Sequence, residues 1–169
     1  MAETNRTVLV VDDEPSVCHA LCGLLKDQGY TVLAAGSGER ALQILREKPV
    51  QVLISDQYMP EMPGIDLLKL VRVRHPQVLR IMLTGSNDSE TAVRSINEGE
   101  VYRFIRKPWK NSELRTLLQH AFVVARRAEE ERQLISSAPK RRSGSGAGPA
   151  DPLGLEPEVA FLAEAELES

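Results

Sequence analysis

No apolar run in the chain is long enough to cross a bilayer, so no membrane-spanning helix is expected. The amino terminus, Met1-Ala2-Glu3-Thr4-Asn5-Arg6, lacks the apolar segment behind a basic start that a secretory signal requires. The cytoplasm is therefore the expected compartment. Cysteine is scarce: Cys18 and Cys22 stand one helical turn apart. Such a pair sits near the upper Cα distance for a disulfide, which favours two small, partly buried side chains in a reduced protein. His19 lies between them, but no fourth ligand is near in sequence, which argues against a metal site there. A basic excess is also missing. The net charge is −3, and residues 151–169 hold six acidic residues and no basic one, which leaves +3 on the remainder. That balance gives no electrostatic reason to expect nucleic acid as a partner.

What is present suits one soluble domain of ordinary size with some extra chain: 169 residues, 42% hydrophobic and 27% charged. Five apolar runs, near 7–12, 30–35, 50–56, 78–84 and 101–106, read as strands. Helical patterns separate them. The first starts at Pro15-Ser16, carries an apolar face of Val17, Leu21, Leu24 and Leu25, and ends at Gly29. The second follows Ser37-Gly38. The third follows Pro63-Gly64 and stops before Pro76. The fourth is expected over 88–98 with Gly99 as a left-handed cap, and the fifth begins near Asn111-Ser112. Alternating strands and helices of this length give a three-layer α/β sandwich around a doubly wound parallel sheet. The fifth helix can continue over 126–135, where the mostly charged run Arg126–Arg132 reads as a solvated, fraying end, too short for a coiled coil. Residues 136–150 have linker composition, and residues 151–169 form an acidic tail too small for an output domain.

The strand ends carry the chemistry. Val8-Leu9-Val10-Val11 runs into Asp12-Asp13, and Val52-Leu53-Ile54-Ser55 runs into Asp56. Ligands of open α/β sheets bind at the carboxyl ends of the strands. Three carboxylates gathered there repel one another unless a cation neutralises them, and an oxygen-only ligand set suits magnesium. Thr84 and Lys107 end two further strands at the same rim. Carboxylates, hydroxyl and ammonium together make a site for a phosphoryl group.

Asp12-Asp13, Asp56 with Met59-Pro60, Thr84, Phe104 and Lys107-Pro108 stand in the order and spacing of a known family. Over roughly residues 6–125 the chain resembles the receiver domain of bacterial two-component response regulators. The resemblance implies a flavodoxin-like sheet of order 2-1-3-4-5. It implies that a histidine kinase or phosphotransfer protein phosphorylates Asp56. Asp13, Asp56 and the Tyr58 carbonyl would ligate Mg2+, with Asp12 acting through water. Lys107, preceding a cis proline bond, would contact the phosphoryl oxygens. Thr84 would donate to the phosphoryl group, and Phe104 would then turn inward as the switch. The module would be no enzyme beyond its own phosphorylation and dephosphorylation. It would signal to a downstream protein by contact, without its own output domain, as a monomer or weak dimer.

Tyr58 and Ser86 depart from the commoner residues at two positions that flank the path of the hydrolytic water in that family. Two other classes compete. Aspartyl-phosphate hydrolases of the haloacid dehalogenase type resemble an Asp-x-Asp pattern, whereas Tyr58 stands two residues after Asp56. Flavin-binding α/β proteins need a phosphate-binding loop after the first strand, where Asp12-Asp13-Glu14-Pro15 would repel phosphate.

Overall fold

Val8-Leu9-Val10-Val11 and Val52-Leu53-Ile54 show no polar alternation, and a strand buries such a run only when both of its faces are covered. The computed structural model, which describes residues 6–85, 94 and 101–137, makes both of them inner strands. β1 (Thr7–Val11) lies between β2 (Thr31–Ala35) and β3 (Val52–Asp56). β4 (Leu79–Thr84) and β5 (Arg103–Arg106) extend the sheet to the order β2-β1-β3-β4-β5, with every pair parallel. This is the flavodoxin-like order of a doubly wound sheet. Every residue of β1 and β3 is buried, whereas the edge strand β2 exposes Thr31 and Ala34.

Four helices cover the sheet among the described residues: α1 (Pro15–Asp27), α2 (Gly38–Glu47), α3 (Gly64–Arg74) and α4 (Asn111–Ser137). The last is the helix that the sequence places fifth. The helix expected over 88–98, with Gly99, lies outside the described residues. On one face Leu9, Leu53 and Met82 pack with Ala41, Leu45, Leu67, Leu68 and Val71 of α2 and α3. On the other, Val10, Ile54, Ile81 and Leu83 pack with Leu21 and Leu25 of α1 and with Leu114, Leu118 and Ala121 of α4. Strand period two thus feeds two separate cores. In α1, Leu21 and Leu25 are fully buried, while Val17 and Leu24 are half-buried at its margins. Gly29 takes φ 90° just past α1, which only glycine adopts without strain. The Ser37 hydroxyl caps α2 by accepting from the Arg40 amide at 3.1 Å.

Cys18 and Cys22 are half-buried free thiols with sulfurs 4.0 Å apart. Burial, then Cys22 and Asp12, pushes the Cys18 thiol up to about 11, so it packs as a small neutral side chain. No metal-ligand cluster among the described residues includes either of them.

α4 holds 27 residues, about 40 Å of helix at 1.5 Å per residue. Its buried positions stop at Ala125, and residues 126–136 are all exposed. The solvated face matches the charged sequence, and the helix extends to Ser137. Its Arg, Ala, Glu and Gln residues are strong helix formers, and Arg126 reaches Glu130 at 4.0 Å one turn on. No helix among the described residues is long and apolar enough to cross a membrane.

Leu53, fully buried in β3, and Val73, 78% exposed on α3, are the contrast that tests this packing. Leu53→Ala is expected to cost about 2–5 kcal/mol in urea unfolding. Val73→Ala should stay within about 0.5 kcal/mol of wild type.

Candidate functional site

β1 and β3 are neighbours in parallel register, with Val11 opposite Ser55. The next residue on each, Asp12 and Asp56, therefore emerges at one rim. The Asp12 amide donates to the Ala35 carbonyl (3.1 Å), which holds the chain in place one residue beyond β1. Carboxylate oxygens of Asp12, Asp13 and Asp56 all lie within 4.8 Å of one another. Asp12 and Asp56 are buried and Asp13 is exposed, so the cluster is open to solvent on one side.

Lys107 completes the charge arrangement. Its amide donates to the Thr84 carbonyl (2.8 Å), which ties the end of β5 to the end of β4. The Lys107-Pro108 bond is cis. Lys107 Nζ lies 2.6 Å from Asp56 Oδ1 and 3.6 Å from Asp12 Oδ2. Thr84 is buried as the last residue of β4. Phe104, opposite Met82 in the β4–β5 register, is half-buried against the core under α2 and α3. Tyr58 is 67% exposed at the rim. Asp12, Asp13, Asp56 and Lys107 are thus brought together as the sequence suggests. Thr84 ends its strand on the same rim, and Phe104 packs behind the sheet.

Burial raises the Asp12 carboxyl above its ordinary range, and the charges of Asp56 and Asp13 add to this. The Glu14 amide, donating to Asp12 Oδ1 at 2.9 Å, and Lys107 oppose the shift without cancelling it. Burial by itself would lower the Lys107 ammonium. The hydrogen bond and charge of Asp56, followed by those of Asp12, outweigh burial and hold its pKa above the usual value. Asp12 Oδ2 is buried without a hydrogen-bond partner. A buried carboxylate oxygen whose ammonium neighbour stands off at 3.6 Å, in a group of three acids facing that one ammonium, is what a hard divalent cation would satisfy. The residues present therefore fit a cation at Asp12, Asp13 and Asp56.

The segment that follows Asp56 is tightly tied. The Ser55 hydroxyl donates to the Asp56 carbonyl (2.9 Å). The Gln57 carbonyl accepts from the Gly64 amide (2.8 Å), and Gln57 Oε1 accepts from the Ile65 amide (2.9 Å). A Cβ on Gly64 would run into the Asp56 carbonyl oxygen and lie 2.9 Å from Gln57 Cα. The sequence marks Pro63-Gly64 as a helix start but not as a contact on Asp56, and it gives Gln57 no role. One signal was available. Pro63 at the N-cap offers no side-chain acceptor, so the first turn of α3 needs one from elsewhere.

Residues 8–119 match the family model described as response regulator receiver domain. Among curated proteins the chain is similar to the hydrogenase transcriptional regulatory protein HoxA of Cupriavidus necator, 41% identical over 64% of this chain and 22% of that protein. It is also similar to a putative NtrX-like response regulator of Rickettsia bellii, 37% identical over 76% of this chain and 27% of that one. The chain spans about a quarter of the length of these relatives. Among solved structures, the signal receiver domain of an HD domain-containing protein from Pseudomonas fluorescens Pf-5 superposes with TM-score 0.69 at 34% identity. That match covers 72% of this chain and 98% of that structure.

Two expectations follow from the geometry. The folded pKa of Asp12 is raised above 3.8, so the unfolded chain binds fewer protons there than the fold does. Stability then falls as pH rises from 3.8 through the folded pKa, and the deficit persists at neutral pH. Asp12→Asn should therefore raise the urea midpoint at pH 7 without divalent cation and gain little below pH 3.8. An equal gain at both pH values would refute the electrostatic account. Gly64→Ala should lose about 1–3 kcal/mol of stability, since the new methyl meets backbone rather than a flexible side chain.

Proposed function

This chain belongs to the response regulator receiver domain family, and from that premise we propose that it is a signalling switch phosphorylated at Asp56. The donor is a histidine kinase or a phosphotransfer protein. The observation that carries this reading is Lys107 Nζ, 2.6 Å from Asp56 Oδ1, inside a cluster of three carboxylates. An oxygen of the Asp56 carboxylate attacks the phosphorus of a phosphohistidine. The P–N bond breaks, its electron pair stays on the imidazole, and an acyl phosphate forms on Asp56. Asp13, Asp56 and the Tyr58 carbonyl would hold Mg2+, with Asp12 acting through water. That cation would supply charge neutralisation for the incoming phosphoryl oxygens.

Lys107 is placed to follow the charge. Its ammonium contacts a carboxylate oxygen that the reaction modifies, and it can shift to the phosphoryl oxygens as they arrive. The Thr84 hydroxyl then donates to the phosphoryl group, and Phe104 turns inward behind it, a two-state switch biased by a local charge. The chemistry is confined to the protein's own Asp56, so the module acts by protein–protein contact rather than by turnover of a separate substrate. It works in the cytoplasm as a monomer or weak dimer. The relatives' regulatory targets are properties of proteins about three times as long as this chain.

Incubation with Mg2+ and a small acyl phosphate, followed by borohydride trapping and mass spectrometry, should locate the label on Asp56. Labelling of Asp56→Asn at the wild-type level would refute the assignment. Lys107→Ala should still take the label but lose about 1.5–3 kcal/mol of phosphorylation-dependent target binding, the worth of a charge-assisted contact. Undiminished phosphorylation-dependent binding would remove Lys107 from the switch.

A further inference from the structure

The first turn of a helix leaves four backbone N–H groups without intrahelical partners. In α3 these are normally answered by a side chain at the N-cap, but Pro63 occupies that position and supplies none. The Asp66 and Leu67 amides reach the Pro63 carbonyl (3.0 and 3.1 Å). The two amides before them, Gly64 and Ile65, are both answered by Gln57, seven and eight residues upstream. Its carbonyl takes one at 2.8 Å and its side-chain oxygen takes the other at 2.9 Å. Gln57 directly follows Asp56 and directly precedes Tyr58. It is half-buried, so its side chain lies in the loop rather than in bulk water.

We propose that Gln57 is a positioning residue: its side-chain oxygen clamps the start of α3 to the end of β3 and so fixes the backbone that presents the Asp56 carboxylate and the Tyr58 carbonyl. The inference rests on the proposed use of those two groups as cation ligands, and it adds a residue that touches neither cation nor phosphoryl group. The loop it closes, residues 57–64, is also tied by the Gly64 amide donating to the Gln57 carbonyl (2.8 Å), and there is no room there for a Cβ on Gly64. With the clamp in place, the direction of the Asp56–Tyr58 backbone is set by α3, a rigid element packed through Leu67, Leu68 and Val71. Without it, the loop loses a part-buried hydrogen bond, and only the backbone bond from the Gly64 amide to the Gln57 carbonyl still ties Gln57 to α3. Partners in the second layer around a metal commonly change its affinity tenfold or more when removed.

The test compares Gln57→Met, which keeps the length and loses the acceptor, with Gln57→Glu, which keeps an acceptor oxygen. Gln57→Ser, too short to reach Ile65, serves as a second truncation. Two readouts are taken on the full chain: hydrogen exchange at the Ile65 amide, and the dissociation constant for Mn2+ from its free-ion resonance signal. The Met and Ser variants are expected to speed Ile65 exchange at least about tenfold and weaken Mn2+ binding by about tenfold. Gln57→Glu is expected to restore both. A role limited to helix stability would speed exchange and leave Mn2+ affinity unchanged, and that result overturns the proposal. So does wild-type exchange at Ile65 in the Met and Ser variants. If the wild-type protein itself binds no Mn2+, the site reading fails together with this one, and the wild-type measurement makes that outcome distinct.

Discussion

Three carboxylates gathered within 4.8 Å set the terms for everything around them. At 4 Å a pair of like charges costs roughly 1 kcal/mol in water and roughly 4 kcal/mol at the effective dielectric of a protein surface. No acid in the group chooses its neighbours freely: the parallel register of β1 and β3 forces Asp12 and Asp56 to one rim. The sheet can impose this because both faces of β1 and β3 are covered, with apolar side chains of four helices packed on the sheet and these two strands buried along their whole length. Hydrophobic burial on both faces thus holds together charges that would separate in an unfolded chain.

The rim is fixed less by the strands than by backbone contacts just beyond them. The Asp12 amide reaches β2 through Ala35, the Lys107 amide reaches β4 through Thr84, and the Gly64 amide reaches Gln57 at the end of β3. Each contact extends the order of the sheet by one or two residues, which is the stretch where the functional side chains stand. The counter-charge depends on the same device. Lys107 lies 2.6 Å from Asp56 because its own backbone is tied to Thr84 on the intervening strand.

Much of this was legible in the residues. Unbroken apolar runs ending in Asp12 and Asp56 gave both the inner strands and the acidic rim, since a run without alternation has to be covered on both sides. Thr84 and Lys107 were legible for the same reason, as polar residues that stop apolar strands. The strand order came from family resemblance, because periodicity carries no information about which strand lies beside which. The clamp at the start of α3 was legible only as a want, since Pro63 at the N-cap supplies no acceptor, and not as a partner. It joins a side chain to an amide eight residues away, and nothing local in Gln57 distinguishes it from an ordinary loop glutamine. The charged run after Ala125 continues as helix to Ser137, in line with the intrinsic helix preference of Arg, Ala, Glu and Gln.

Stability and function pull in opposite directions at this rim. The buried Asp12 Oδ2, with the Lys107 ammonium no nearer than 3.6 Å, and the raised pKa of its carboxyl mark an acid that the fold tolerates at a cost. The same unmet demand would favour a cation, since three acids share one ammonium. Under the proposed chemistry, phosphorylation replaces the acceptor that Lys107 now holds with a group of greater charge on the same residue. Lys107, which would answer that change, has its backbone bonded to Thr84 and therefore to β4. The residue that answers a change in charge at the end of β3 is thus anchored to β4 at the end of β5. Phe104 lies on β5, half-buried and paired in register with Met82, and a half-buried ring has more room to move than the fully packed residues of the inner strands.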